Sequence, residues 1–341
     1  MAEQELNSGQ PQPEVQNQAS PNTANQGSNM STSSIVYKTM PYFLLRALVY
    51  TGVVLGFIIF SIIWVGVMNL LNSFNMPVFQ VISGILLFII LLTCWRFLKS
   101  YILYMIKAGH IAVVSELVNG NSIPEGQGQI SYGASMVKKY FMTANVMYVM
   151  DNLVNKVIQD IKNNMDRITS HIPLPGIELV ESYFEIFVDV FLGYADEAVF
   201  GYIFQSNTNN VWKTAADGVV LYAQNWKELI KSAGKMSLAL FGIILGGIVA
   251  AYGGFLATSA LGLNSIVIGV VVIGILMLAK LIFVDPIVMI FMINRYLSVT
   301  KGQQPSIDLY SKLQSISKKF SKIINKSNET ATATVAPTAI Q

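Results

Sequence analysis

Two pairs of long apolar segments dominate the hydropathy pattern of the chain. The first pair covers residues 41–71 and 78–105, and the second covers residues 236–257 and 266–293. Each segment exceeds the roughly 20 residues that an α-helix needs to cross the hydrocarbon core of a bilayer. The short connection within each pair carries no charged residue. The pattern therefore predicts two helical hairpins that span a membrane.

The region between these hairpins has an amphipathic pattern. Residues 135–168 and 177–204 read as two long helices joined by 169-TSHIPLPG-176, whose two prolines predict a firm turn. The second helix is apolar enough to enter a membrane, yet its first five carboxylates fall within roughly 80° of one another on one face. Either the two helices form a third spanning hairpin, or they lie on the cytoplasmic surface with their carboxylates in water.

Three stretches share one internal pattern, in which an apolar helix end is followed by a short polar loop and an amphipathic helix. Aligning Gly120, Ser206 and Gly302 as equivalents predicts three tandem hairpins, all entering the membrane from the same side. The alternative is that apolar hairpins simply resemble one another. The predicted fold is thus an all-α polytopic membrane helix bundle with six spans, arranged as three parallel-repeat hairpins with interfacial amphipathic helices.

This reading divides the chain into a membrane domain and two tails. The membrane domain covers residues 35–326, and the polar composition of both termini predicts disordered tails. The hairpin repeats occupy approximately residues 35–130, 131–210 and 211–305, a basic amphipathic helix follows at 306–326, and the tails are residues 1–34 and 327–341.

Composition and charge placement support a membrane location. The chain is 53% hydrophobic and only 12% charged, whereas soluble domains contain about 25% charged residues. Basic residues cluster at 96–139, 212–235 and 295–326, on the flanks of the hairpins. The positive-inside rule then predicts a multi-pass protein of the bacterial cytoplasmic (inner) membrane with both termini in the cytoplasm. A net charge of only +3 gives no reason to expect a nucleic-acid partner.

Several classes of enzyme are not indicated by the sequence. One cysteine and two histidines exclude an internal disulfide and a cysteine-based metal cluster. The chain contains no phosphate-binding glycine loop, dinucleotide fingerprint, nucleophile elbow or zinc-peptidase motif. We therefore expect a protein that is not an enzyme and that needs no cofactor.

Two loop segments resemble a known pattern. Residues 299-VTKGQQPSIDLYSKL-313 and their relative 207-NTNNVWKTAADGVVLYAQNW-226 resemble the signature of six-helix bacterial membrane families, namely the YciC-like proteins and the membrane domains attached to some glycerophosphodiesterases. The segment 207–226 is also similar to the carboxyl-terminal part of choline-transporter-like proteins. The resemblance implies a six-span architecture, and it carries over no functional residues.

The acidic central helix supplies most of a candidate polar path. An unpaired charge at bilayer depth costs at least about 2.5 to 3.5 kcal/mol, so such groups must pair or line water. The excess of acids favours a hydrated cavity that attracts cations, or proton uptake by an acid with a raised pKa. The candidate path residues are Glu178, Glu181, Glu185, Asp189, Asp196 and Asp285.

Three basic residues are candidate ion-pair partners for these acids. An antiparallel central hairpin would bring Arg167 level with Glu178 and Lys156 level with Asp189, while Lys280 could meet an acid of that hairpin. Two structural alternatives remain open. The acids could instead pair with basic interfacial helices as structural contacts, and Asp285 could cap a kink at Pro286 or meet a nearby arginine.

The basic helix near the end of the chain suggests contact with anionic lipids through Lys312, Lys318, Lys319 and Lys322, although a solvated face explains the same pattern. We therefore predict a transporter or channel-like subunit for a cation or small polar solute. The alternative is a non-catalytic scaffold or assembly factor that binds lipid and partner proteins. A homo-oligomer or a membrane partner is compatible with either function.

Overall fold

The computed structural model describes residues 30–141, 144–164, 192–206, 208–260 and 265–335. Within these ranges the chain is helical and contains no strand, as the sequence predicts. The α-helices in these ranges are α1 (Thr32–Lys38), α2 (Met40–Ser73), α3 (Pro77–Phe97), α4 (Tyr104–Val118), α5 (Gln129–Phe141), α6 (Ala144–Asn163), α7 (Ala195–Gln205), α8 (Val211–Gln224), α9 (Trp226–Ala260), α10 (Ser265–Ala279), α11 (Asp285–Thr300), α12 (Ile307–Ile316) and α13 (Lys318–Val335). A π-helical segment, Leu98–Leu103, joins α3 to α4, and another, Lys280–Val284, joins α10 to α11.

Among the described residues, three continuous helices are long and apolar enough to cross a membrane: Met40–Ser73, Pro77–Val118 and Ile268–Thr300. A fourth apolar stretch, Leu245–Ala260 at the end of α9, is shorter. The predicted hairpins appear as the contacting pairs α2 with α3 and α9 with α10. Their large side chains, mainly Leu, Ile, Val and Phe, are exposed. A helix that is apolar all round and unburied by protein is suited to lipid.

The first of these hairpins turns where local sequence rules place the break. Pro77 occupies the first turn of α3, a position where its missing N–H costs no hydrogen bond. Asn75 adopts a positive φ of 52° in the connection. Asparagine tolerates this left-handed conformation better than most residues.

A buried helical core lies beyond the exposed hairpins. Its centre is formed by α4, α7 and α11, which all contact one another. Ala112, Ala198 and Ile293, one from each of these helices, are completely buried. Helix α5 packs on α4, α8 packs on α7 and α11, and α13 lies further out, on α6 and α8. The fold therefore separates an exposed apolar part from a part with a protein-buried core.

Helix α6 is the described portion of the predicted central hairpin. The sequence predicts one helix over 135–168, but α5 ends at Phe141 and α6 begins at Ala144. The apolar face of α6 packs against α7, α8 and α13. That face consists of Met147, Met150, Val154, Val157, Ile158 and Ile161, all buried. Helix α6 is not among the three candidate spans, and residues 165–191 lie outside the described residues, so six spans remain a prediction.

Two of the three residues aligned as repeat equivalents share a backbone conformation. Gly120 follows α4 with φ +81°, and Gly302 follows α11 with φ +75°. Glycine terminates helices in this left-handed conformation because it has no Cβ to clash. Ser206, after α7, keeps an ordinary helical φ of −77°. The offset that brings Gly120 onto Gly302 also brings the start of the first π-helical segment, Leu98, onto the start of the second, Lys280.

The described ends of the chain are more helical than the predicted tails. Helix α1 begins at Thr32, inside the predicted tail of residues 1–34, where Ser31 caps it by accepting a hydrogen bond from the Ser34 N–H at 3.3 Å. Helix α13 continues to Val335, past the predicted boundary at 327. Ile35 and Phe320, in these two terminal helices, are completely buried. Packing of such side chains against the core accounts for order that polar composition does not predict.

Candidate functional site: a charged cavity at the base of the apolar helices

A cavity of about 640 Å³ lies where the apolar helices enter the buried core. Its volume is in the range of small-molecule binding sites. Four tyrosines, Tyr50, Tyr104, Tyr148 and Tyr194, contribute to its wall. Charged side chains of both signs line it: Arg46, Arg96, Lys107, Asp151, Glu197 and Asp285. These residues come from α2, α3, α4, α6, α7 and α11, so the cavity exists only when the helices are assembled.

One wall of the cavity is built around Lys107 of α4. The Lys107 Nζ lies 3.2 Å from Asp196 Oδ2 and 2.8 Å from Glu197 Oε1, both at the start of α7. The two carboxylate side chains are only 2% and 6% exposed, whereas Lys107 is 28% exposed. The lysine therefore neutralises buried acids while keeping contact with the cavity.

Asp151 of α6 joins this cluster and changes its protonation. Burial and the neighbouring charge of Asp196 raise the pKa of Asp151 to about 8. Burial likewise raises the pKa of Glu197 well above its usual range. Burial also acts to raise the pKa of Asp196, but the Lys107 ammonium outweighs it and holds that pKa below the ordinary range. Near neutral pH, Asp196 is therefore ionised and Asp151 retains its proton.

Another part of the cavity wall contains an ion pair between residues five apart in the chain. The Lys280 Nζ lies 2.8 Å from Oδ1 and 3.1 Å from Oδ2 of Asp285. The Tyr194 hydroxyl donates a hydrogen bond of 3.0 Å to Asp285 Oδ1. The sequence suggests Lys280 as a partner for an acid of the central hairpin and Asp285 as a neighbour of Arg295. Instead, Lys280 pairs with Asp285, and Arg295 contacts Ser232 and Glu228.

The Arg46 side chain is the least satisfied charged group of the site. The residue is only 8% exposed. Its buried Nε and Nη2 atoms have no hydrogen-bond acceptor among the described residues. Glu197 and Asp285 are near enough to interact with its charge electrostatically, yet neither forms an ion pair with it within the described part of the chain. A buried guanidinium with unused donors normally has a partner.

The predicted path residues separate into two groups. Asp285 lines the cavity, and Asp196 lies behind its wall on Lys107. Lys156 is exposed on α6 and does not line the cavity. Lys312, Lys318 and Lys322 are exposed, and Lys319 is half-buried, as an accessible basic face requires. The other predicted path residues and Arg167 lie outside the described residues: Glu178, Glu181, Glu185 and Asp189.

Sequence reasoning overlooked most of the cavity. Arg46 and Lys107 each interrupt an apolar run, and such a charge in a membrane helix is the signal that could identify them as functional residues. Asp151 and Glu197 gave a weaker signal, because each lies in an amphipathic stretch with several other polar residues. Arg96 begins one of the basic clusters that flank the hairpins, a position where a basic residue is expected in a membrane protein without a further role. Within the described ranges, no cluster of histidine, cysteine or acidic residues has the geometry of a metal site.

Comparison with known proteins adds no relative to this picture. No family model, no curated protein and no solved structure matches the chain. The resemblance of the two loop segments to six-helix membrane families therefore stays a prediction, and the function must be argued from the cavity itself.

Proposed function

We propose that this protein is a multi-pass membrane protein that transports a small polar solute, or forms a channel-like subunit for one, through the charged cavity. The observation that carries the proposal is the position of this cavity, with its six charged side chains, at the base of helices long enough to cross a membrane. Burying charge costs free energy unless the group is paired or hydrated. A hydrated path that binds a polar solute would account for six charged side chains being held in one cavity despite this cost.

The proposal includes the topology that the sequence predicts. Under this proposal the protein has six spans in three repeats, and it lies in a bacterial cytoplasmic membrane with both termini in the cytoplasm. In this topology the cavity would lie at the cytoplasmic end of the path. The common offset of the two π-helical segments and of Gly120 and Gly302 supports a repeat. In this arrangement the acids from 178 to 189 would continue the path from the cavity across the membrane.

The nature of the solute follows from which charges are already neutralised. Asp196 and Asp285 both face lysines at hydrogen-bond distance, so neither offers a free carboxylate to a cation. A polar or anionic solute agrees better with this pairing than a cation does. A cation would depend on the acids of residues 178–189.

Cysteine labelling tests the topology. In a Cys94→Ser background, His171→Cys would be exposed to a membrane-impermeant maleimide applied to intact cells. Six spans predict labelling from outside, because the turn at 169–176 then lies beyond the membrane. Labelling seen only after the cells are opened would contradict the six-span proposal.

Uptake into proteoliposomes tests transport. Radiolabelled rubidium, glycine and inorganic phosphate represent a cation, a zwitterion and an anion. We expect uptake of at least one above protein-free liposomes, and Asp285→Asn should reduce it severalfold because it unpairs Lys280 at the cavity wall. Asp217→Asn is the matched control, since Asp217 pairs with Lys213 away from the cavity.

A scaffold that binds lipid and partner proteins is the second candidate. It is favoured by the exposed lysines of α12 and α13, which suit an anionic lipid surface, and it would also accommodate a homo-oligomer. Folded protein that takes up none of the three solutes, while Lys318→Gln and Lys322→Gln reduce the anionic lipid that copurifies with it, would replace the transport proposal with this one.

A further inference from the structure

We propose that the cavity binds a phosphate-bearing anion, with Arg46 as its principal contact. This inference rests on the proposed function in treating the cavity as a ligand site, and it specifies the chemical class of the ligand. The phosphate could belong to a free solute or to a lipid headgroup, since the cavity lies beside helices that suit lipid. The two sources share the same recognition chemistry and are separated by the experiment below.

The unused donors of Arg46 provide the first argument. Nε and Nη2 are buried and have no acceptor among the described residues, although the side chain lines an open cavity. Leaving buried charged donors unsatisfied costs free energy. A guanidinium presents its donors in a planar fork that matches two oxygens of a phosphate. A bound phosphate could therefore accept hydrogen bonds from the Nε and Nη2 atoms of Arg46, which have no acceptor among the described residues.

The surrounding charges provide the second argument. Arg96 and Lys107 also line the cavity, and Lys280 lies on Asp285 at its wall. The acids offset only part of this positive charge. Asp285 is neutralised by Lys280, and Asp196 by Lys107. Burial raises the pKa of Asp151 to about 8, so this acid is neutral at pH 7 and offsets none of the positive charge. The cavity consequently attracts anions.

Two tyrosines of the cavity wall add hydrogen-bond donors to the site. The hydroxyls of Tyr104 and Tyr194 already donate to the Met147 carbonyl and to Asp285. Tyr50 and Tyr148 also line the cavity, and a tyrosine hydroxyl can donate its proton to a phosphate oxygen. These two residues give a phosphate donors besides Arg46. The cavity thus has the composition of an anion site and not only a single arginine.

Binding is measured on the full chain in mild detergent, without any flux. The probes are inorganic phosphate and the short-chain lipid dihexanoyl phosphatidic acid, each titrated against the thermal unfolding midpoint. We expect at least one probe to stabilise the protein saturably, with sodium sulfate as a weaker competitor. Arg46→Gln should weaken binding roughly tenfold or more, because a charge-assisted hydrogen bond contributes about 1.5 to 3 kcal/mol. Arg46→Lys should restore only part of the affinity for the probe, because lysine keeps the positive charge but lacks the planar set of donors of a guanidinium.

Arg295→Gln is the matched control, because Arg295 already has partners in Ser232 and Glu228. Its binding constant for the probe should equal that of the original chain. Stabilisation by inorganic phosphate identifies a free solute, and stabilisation by the lipid alone identifies a headgroup. No stabilisation by either probe, or equal affinity in the Arg46→Gln protein, would overturn the proposal.

A second measurement does not depend on the folding of an Arg46 variant. Asn152 lines the cavity, so Asn152→Cys in a Cys94→Ser background reports on its occupancy. The binding probe should slow maleimide labelling of this cysteine severalfold. Unchanged labelling at saturating probe would contradict binding in the cavity. Solute uptake that persists in the Arg46→Gln protein would leave the proposed transport in place while removing the phosphate inference.

Discussion

Helices α3 and α4 belong to one continuous apolar helix, Pro77–Val118, yet α3 is exposed and α4 is buried by protein. No residue of α3 is buried, whereas most of α4 is. Helix α3 presents Leu, Ile and Phe on all sides, and α4 carries Ala108, Gly109 and Ala112 where α5, α7 and α11 approach. Small side chains allow close contact between helices. Apolar character alone thus makes both halves helical, and side-chain size distinguishes the half that packs on protein.

The boundary between the two regions is also where the charges collect. The cavity is lined by Arg96 at the end of α3, by Leu103 of the π-helical segment and by Lys107 on the first turn of α4. Exposed apolar helix lies on one side of this boundary and buried core on the other. We therefore expect truncations in the buried core to lower the free energy of unfolding more than truncations in the exposed helices. Substitutions at the boundary should act through lost ion pairs and changed protonation.

The largest expected difference is between equivalent truncations on the two sides. Ile290→Ala removes a completely buried side chain of α11 and should lower the free energy of unfolding by about 2 to 5 kcal/mol. Ile85→Ala removes a side chain of α3 that is 56% exposed and should cost about 0.5 kcal/mol or less. Denaturant unfolding in mild detergent measures both. Equal costs would mean that the exposed hairpin packs on protein after all.

At the boundary, Lys107→Met should destabilise the protein by about 2 to 3 kcal/mol. The change leaves Asp196 and Glu197 buried without their cation, and breaking a buried pair is costly, although the partial exposure of Lys107 reduces the effect. Lys213→Met is the matched control, because its pair with Asp217 is on the surface. That change should cost about 0 to 1 kcal/mol. The same unfolding assay compares them, and a harmless Lys107→Met would contradict the described cluster.

The pH dependence of stability should follow Asp151. Its pKa rises from an ordinary 3.8 to about 8 in the folded protein, so unfolding releases a proton between these values. Stability therefore falls as pH rises from about 4 to about 8, by at most about 1.4 kcal/mol per pH unit for one proton. The raised pKa of Glu197 acts in the same direction, and the lowered pKa of Asp196 acts only below this window.

Asp151→Asn should flatten this dependence, because asparagine does not titrate. Thermal unfolding midpoints measured from pH 5 to pH 8 report the slope for each protein. Asp308→Asn changes an exposed acid outside the cavity and should leave the slope as it is. A slope that survives in the Asp151→Asn protein would assign the pH dependence to other groups.

The smallest expected effect is the loss of one buried hydrogen bond. The Tyr296 hydroxyl of α11 donates to the Gly218 carbonyl of α8 at 2.8 Å in the buried core. Tyr296→Phe should lower the free energy of unfolding by about 1 kcal/mol. Tyr252→Phe, on the exposed part of α9, should have no measurable effect. An equal free energy of unfolding for the Tyr296→Phe and Tyr252→Phe proteins would contradict a stabilising role for this buried hydrogen bond.

Sequence reasoning placed the apolar helices well because hydrophobic length and proline position are local properties. It missed the pairing of Lys280 with Asp285 because residues five apart do not share a face of an α-helix. The π-helical turn at Lys280–Val284 changes the local repeat and brings the two side chains together. It also missed Lys107 with Asp196, because no periodicity relates residues on helices so far apart in the chain.

The sequence by itself determined that the chain is helical and where its long apolar helices run, since both follow from composition and local periodicity. It also supplied the charges that interrupt those helices. Only the tertiary structure decided which apolar helices are buried and which charges meet, because burial and pairing depend on neighbours from distant parts of the chain. Arg46 shows the difference most clearly. Its position in an apolar run is visible in the sequence, but its unsatisfied donors appear only once α2, α7 and α11 surround the cavity.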